Sequence, residues 1–136
     1  PVKGAFEFIA ELRKRGVTTA IVTSSNKPKM ENVYMHYPEF KDLVGHIFTS
    51  EFVTRSKPDP QCFLNAMEAL GAPVSETVVF EDSINGLKAA RASGAYVVGL
   101  LTSNPAEVVN PMCDYSIEDF MSFTPEELSK VSGIDF

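Results

Sequence analysis

The chain has 136 residues, 44% hydrophobic and 22% charged, which is ordinary globular composition and enough for one domain with a proper core. A net charge of −6, with no basic run longer than Arg13-Lys14-Arg15, argues against a nucleic-acid or anionic-membrane surface. Two cysteines, Cys62 and Cys113, lie far apart without a C-x-x-C or Cys/His cluster, so they read as reduced core thiols rather than a disulfide framework or zinc site. The longest apolar stretch, residues 95–101, falls short of the roughly 20 residues of a membrane span, and residues 1–4 lack the apolar region of a signal peptide. The expectation is a soluble, cytoplasmic protein with no membrane and no nucleic-acid partner.

In chain order, Phe6, Ile9, Ala10 and Leu12 recur at helical spacing and stop at Arg13-Lys14-Arg15-Gly16, cations followed by a terminating glycine. Residues 18–22 are rich in β-branched types and predict a strand. The polar run 23–26 follows, and Pro28 suits the start of a helix reaching about Tyr37. Residues 47–49 predict a short strand, and residues 54–60 a loop, because Pro58 and Pro60 break regular structure. A helix over 61–70 ended by Gly71, a strand over 77–82, a helix over 84–92 closed by Ser93-Gly94 and a strand over 95–101 come next. Residues 102–111 read as a surface connection with room for a short helix, 115–117 as a last strand and 125–131 as a terminal helix. Strands alternating with helices at this spacing predict a doubly wound α/β fold, a parallel sheet with helices on both faces.

Three segment ends carry polar groups suited to chemistry: Thr23-Ser24-Ser25-Asn26-Lys27, Lys57-Pro58-Asp59-Pro60 and Glu81-Asp82-Ser83. In an open parallel sheet, ligands bind beyond the carboxyl ends of the strands, where helix N-termini also point. Paired acids delivered there by a buried strand suit a hard metal ion. Each segment alone has a simpler account: Glu81 and Asp82 as acids in a first helical turn, Thr23 and Ser24 as turn or cap hydroxyls, Lys57 as a solvated loop residue. His36 and His46 lack a partner at ligand spacing. Phe6, Phe8, Phe40, Phe48, Phe52 and Phe63, with Met30 and Met35, read as packing residues.

In their order and spacing, the three segments resemble motifs II, III and IV of the haloacid dehalogenase superfamily. The run from Phe80 to Gly94 looks like its β-phosphoglucomutase and phosphoglycolate-phosphatase branch, and the resemblance spans residues 2–101. It implies a Rossmannoid core and a Mg²⁺-dependent phosphohydrolase or phosphomutase acting on a small phosphorylated metabolite, such as a sugar phosphate, through a phospho-aspartate. By the same resemblance, Thr23 and Lys57 are catalytic and bind the phosphoryl group together with Ser24, Asn26 and Lys27. Asp82 ligates Mg²⁺, with Glu81 as a direct or water-mediated ligand. The physics agrees, since phosphoryl transfer requires donors and cations around the equatorial oxygens more than covalent chemistry from the protein. The family loop K-P-x-P-D differs here, with the acid early at Asp59 and Gln61 in the later position.

The family's motif I, a strand ending D-x-D, has no counterpart, because the sequence contains no D-x-D; the nucleophilic Asp is therefore absent from this chain. Residues 1–136 accordingly look like the C-terminal part of a core domain, with motifs II to IV, without cap domain and without the central strand. The expectation is a sheet with a gap between the strand before Thr23 and the strand before Asp82. That gap would be filled by a separate N-terminal fragment or a swapped second copy, or avoided by different packing of the two halves. The chain alone is expected to be inactive, within a β-phosphoglucomutase-like or phosphatase parent. The alternative is a non-catalytic α/β binding or assembly module that has lost motif I.

Overall fold

The computed structural model describes residues 2–136. The chain runs α1 (Ala5–Lys14), β1 (Ala20–Val22), α2 (Lys27–His36), α3 (Phe40–Val44), β2 (His46–Phe48), α4 (Gln61–Leu70), β3 (Val78–Glu81), α5 (Ile84–Ser93), β4 (Tyr96–Leu100), α6 (Ala106–Val109), β5 (Tyr115–Ile117) and α7 (Pro125–Ser132). All strand pairs are parallel, with β1 beside β2 in one sheet and β3-β4-β5 in another. The fold is thus α/β and incomplete. Among the described residues β1 and β3 share no ladder, so the break falls where the sequence places a gap.

Strand alternation sorts the core of the larger sheet onto two faces. Val79 and Val97 pack with Phe63 and Met67 of α4, Leu87 and Ala90 of α5, and both cysteine thiols. Val78, Phe80 and Val98 point the other way, to Phe8 and Leu12 of α1, Phe123, and Leu128 of α7. The aromatic contacts of α1 reach the larger sheet and helix α3, Phe8 standing 5.7 Å from Phe80 of β3 while Phe6 stands 5.9 Å from Phe40 of α3. On the opposite face, Val22 of β1 packs against the cluster that contains α4 and α5. Burial pushes the Cys62 thiol up.

Helix termini follow their sequence signals. Asn26 Oδ1 accepts the Lys29 N–H at the start of α2, Ser83 Oγ accepts the Gly86 N–H at the start of α5, and Thr124 Oγ1 accepts the Glu127 N–H at the start of α7. Gly94 closes α5 with φ 87°, a left-handed conformation for which glycine is suited.

Two expectations are corrected and one element is added. The strand predicted over 18–22 is only Ala20–Val22, because its partner β2 begins at His46, opposite Ala20 and directly after the end of α3 at Gly45. Helix α3 was not predicted. Its five residues are too few to show a period, and Arg13 Nη1 of α1 fixes its end by donating to the Asp42 and Leu43 carbonyls at 2.9 and 2.8 Å. Met35, expected to pack, is 79% exposed, whereas Met30 of the same helix is buried. Five residues at about 100° each put the two on well-separated faces. No helix among the described residues is long and apolar enough to cross a membrane.

Candidate active site

Lys57 sits at the junction of the two sheets. Its Nζ donates to Glu81 Oε2 at 3.0 Å and toward the Val22 carbonyl, the last of β1, at 3.4 Å. The two charged side chains are only 12% and 13% exposed, and the ammonium lies 5.0 Å from the Phe63 ring centre. A charge pair this withdrawn from water persists only with close geometry and further hydrogen bonds. The loop that delivers Lys57 is pinned by Gln61, whose Oε1 accepts from the backbone N–H groups of Thr54 at 2.9 Å and Arg55 at 2.6 Å. Asp59 Oδ1 in turn accepts the Gln61 N–H at 2.9 Å. The departure from the K-P-x-P-D pattern therefore leaves a well-braced loop.

Glu81 uses both carboxylate oxygens inside the protein. While Oε2 pairs with Lys57, Oε1 accepts from Asp82 N at 3.2 Å, Ser83 N at 3.3 Å and Ser83 Oγ at 3.1 Å. The carboxylate lies so close over the first turn of α5 that a Cβ at position 86 would collide with it, which accounts for Gly86.

Asp82 is held differently. Its Oδ2 accepts from Ser103 Oγ at 2.7 Å and Thr102 Oγ1 at 3.3 Å, and its backbone carbonyl accepts from Asn104 Nδ2 at 3.2 Å. The Ser103 hydroxyl, ahead of the Thr102 hydroxyl, holds the Asp82 carboxyl below its usual range against the opposing effect of partial burial. Ser83 serves as the N-cap of α5, so the helix does not require Asp82 for that purpose. Among the described residues, Asp82 Oδ1 has no hydrogen-bond donor.

The loop after β1 completes the arrangement. Thr23 N donates to the Phe48 carbonyl at 2.9 Å, and Thr23 Oγ1 accepts the Ser25 N–H at 3.0 Å, which leaves its own proton free to donate. Asn26 Oδ1 is committed to capping α2, which leaves its Nδ2 group to donate. The Lys27 N–H donates to both oxygens of Glu51, at 3.2 and 3.1 Å, and this bond holds the Glu51 carboxyl below its ordinary value. Ser24 is exposed and borders two clefts. One, of about 150 Å³, runs past Thr23, Lys57 and Cys62. The other is open, of about 580 Å³, and is bordered by Ser24, Lys57, Ser83, Asn85, Ser103 and Asn104.

The structure thus brings the segments of Thr23, Lys57, Glu81 and Asp82 to one end of the sheets, with Asn26 and Lys27 at the start of α2. It adds Gln61 and residues 102–104, whose polar runs look like common turn chemistry. No group of three or more His, Cys, Asp and Glu forms a cation cage among the described residues. The free Asp82 Oδ1 fits a hard cation that takes one or two carboxylates and keeps its waters, as Mg²⁺ does.

An open parallel α/β core with a polar site at the carboxyl ends of its strands is the class defined by this arrangement, and comparison with known proteins gives the family. The model of haloacid dehalogenase-like hydrolases matches residues 1–94, and the chain belongs to that family. It is similar to validoxylamine A 7'-phosphate phosphatase of Streptomyces hygroscopicus subsp. limoneus, 33% identical over 79% of this chain and 50% of that protein. Among solved structures it resembles a family IA, variant 3 hydrolase of Entamoeba histolytica with TM-score 0.86 and 27% identity, over 97% of this chain and 60% of the other. It also shares its fold with β-phosphoglucomutase of Clostridium difficile, with TM-score 0.84 at 16% identity, over 97% of this chain and 56% of the other. The chain spans half or less of the length of the first curated relatives it matches.

Proposed function

We propose that this chain is the core-domain part of a Mg²⁺-dependent phosphohydrolase or phosphomutase acting on a small phosphorylated metabolite, a sugar phosphate, in the cytoplasm. The observation that carries this reading is the convergence of the loops of Thr23, Lys57 and Asp82 at one end of the sheets, where Thr23 and Lys57 border a cleft, with a largely buried Lys57–Glu81 pair between the sheets. The Thr23 hydroxyl donates to a phosphoryl oxygen, and Ser24, Asn26 and Lys27 supply further polar groups along the same loop. Lys57 offsets charge on the phosphoryl group, and Glu81 holds its ammonium at the junction. Asp82 would hold Mg²⁺, and Glu81, whose oxygens are engaged by Lys57, Asp82 N and Ser83, would act only through a water. Bound there, a cation would offset charge on the phosphoryl oxygens.

The attacking Asp comes from outside these 136 residues, on a strand lying between β1 and β3. A separate N-terminal fragment would supply both the strand and the Asp, whereas a swapped second copy, having no D-x-D, would fill the gap without a nucleophile, and this chain alone is inactive. Support comes from the lack of D-x-D and from the unpaired facing edges of the two sheets. The test is phosphate release from a panel of sugar phosphates with Mg²⁺. The purified chain, free of other polypeptides, should give none, and turnover by it would refute the claim of inactivity. The protein carrying this chain at its full length should turn over and lose at least about a hundredfold in rate on Lys57→Ala, as expected for a preorganised group serving the transition state. A full-length protein that binds sugar phosphates but releases nothing would favour the non-catalytic module.

A further inference from the structure

We propose that Ser103, supported by Thr102 and Asn104, is a positioning residue that turns Asp82 so that Oδ1 faces a divalent cation. This rests on the reading of Asp82 as a cation ligand. Three consecutive side chains of one loop converge on this one residue, two on Oδ2 and one on the backbone carbonyl. The parallel pairing of β3 with β4, with Glu81 opposite Gly99, makes both loops leave the same edge, so residues 102–104 lie beside Asp82.

The geometry goes beyond what a turn requires. A carboxylate on a short side chain can rotate to offer either oxygen. Two hydroxyls donating to the same oxygen fix the plane of the group, and the Ser103 contact at 2.7 Å is the short, charge-assisted kind. Asn104 holds the Asp82 carbonyl, so the peptide and the side chain are anchored independently. Thr102 and Ser103 are themselves exposed and absent from both core clusters, so their bonds to Asp82 are not a by-product of packing. Ser103 and Asn104 also border the open cleft, which places the anchor at its rim.

The test is the affinity of the full-length protein for Mn²⁺, read from the electron paramagnetic resonance of the free ion, with thermal melting as a control. Ser103→Ala should weaken binding about tenfold, the lower end of what partners of metal ligands contribute. Ser103→Thr should restore it, Thr102→Val should weaken it less than Ser103→Ala, and melting should be unchanged throughout. Asp82→Asn should remove most binding. Loss with Asp82→Asn but wild-type affinity in Ser103→Ala would overturn the positioning role and leave the cation site standing. Unchanged affinity in Asp82→Asn would overturn both. A deficit in Ser103→Ala that Ser103→Thr does not repair would mean that the loop only supports the fold, which also overturns the proposal.

Discussion

The sheet of β3, β4 and β5 and the sheet of β1 and β2 differ in how completely they are enclosed. In the first, Val97, Val98, Leu87 and Val109 have no exposure at all, and helices cover both faces. In the second, every residue of β1 is half-buried, His46 of β2 is exposed, and the nearest fully enclosed anchor is Val44 of α3. The candidate site is shared between these unequal halves. Glu81, Asp82 and residues 102–104 belong to the enclosed half, Thr23 and Ser24 to the open one, and Lys57 ties the two. A site divided in this way owes its geometry to the link as much as to either half, since regions with fewer buried contacts open at lower free energy.

The largest expected effect tests the enclosure itself. Leu87→Ala should destabilise the protein by about 4 kcal/mol, because a fully buried leucine leaves both lost transfer energy and a cavity. Ile21→Ala in the open half should cost about 1 to 2 kcal/mol, since that residue is only partly buried and the gap it leaves is open to water. Urea unfolding measures both, and equal losses would remove the distinction between the halves.

Next comes the link. Lys57→Met should cost about 3 kcal/mol by leaving the Glu81 carboxylate withdrawn from water without its partner, whereas Lys57→Met with Glu81→Gln, which removes the charge but keeps an acceptor for the Asp82 and Ser83 N–H groups, should recover most of the loss. Hydrogen exchange of Val22 and Phe48 should accelerate more than that of Val97 and Val98. Equal acceleration would mean that Lys57 supports both halves alike instead of fastening the open one to the enclosed one.

The same contrast explains what can be read from the chain. The strand β3 and helix α5 are visible because an apolar run, a capping serine and a terminal glycine state their limits locally. Helix α3 is not visible, because the Arg13 guanidinium that secures it lies about thirty residues away in sequence. The three segments that approach one another in space are recognisable from their order, yet the partners of their side chains are not. Nothing in Thr102-Ser103-Asn104 separates it from ordinary turn residues until parallel pairing brings it beside Asp82. Gln61 is similar: it interrupts a recognisable pattern, and only the fold shows that its amide braces the Lys57 loop.

The smallest expected effect is a pH dependence in the open half. Glu51 is an exposed carboxylate whose pKa is lowered chiefly by the Lys27 N–H at the first turn of α2. A group depressed on folding binds its proton more readily when unfolded. Its contribution is therefore complete above the ordinary glutamate value of about 4.3 and disappears as pH falls through the lower folded value. The Lys27 amide resonance should accordingly move with a midpoint below that ordinary value, and the stability difference between wild type and Glu51→Gln should shrink across the same window. A midpoint at or above about 4.3 would show that Glu51 does not hold the start of α2 in solution. The Thr23 loop would then be braced at Thr23, Ser25 and Asn26 without Glu51, and the open half would differ from the enclosed one by more than its burial indicates.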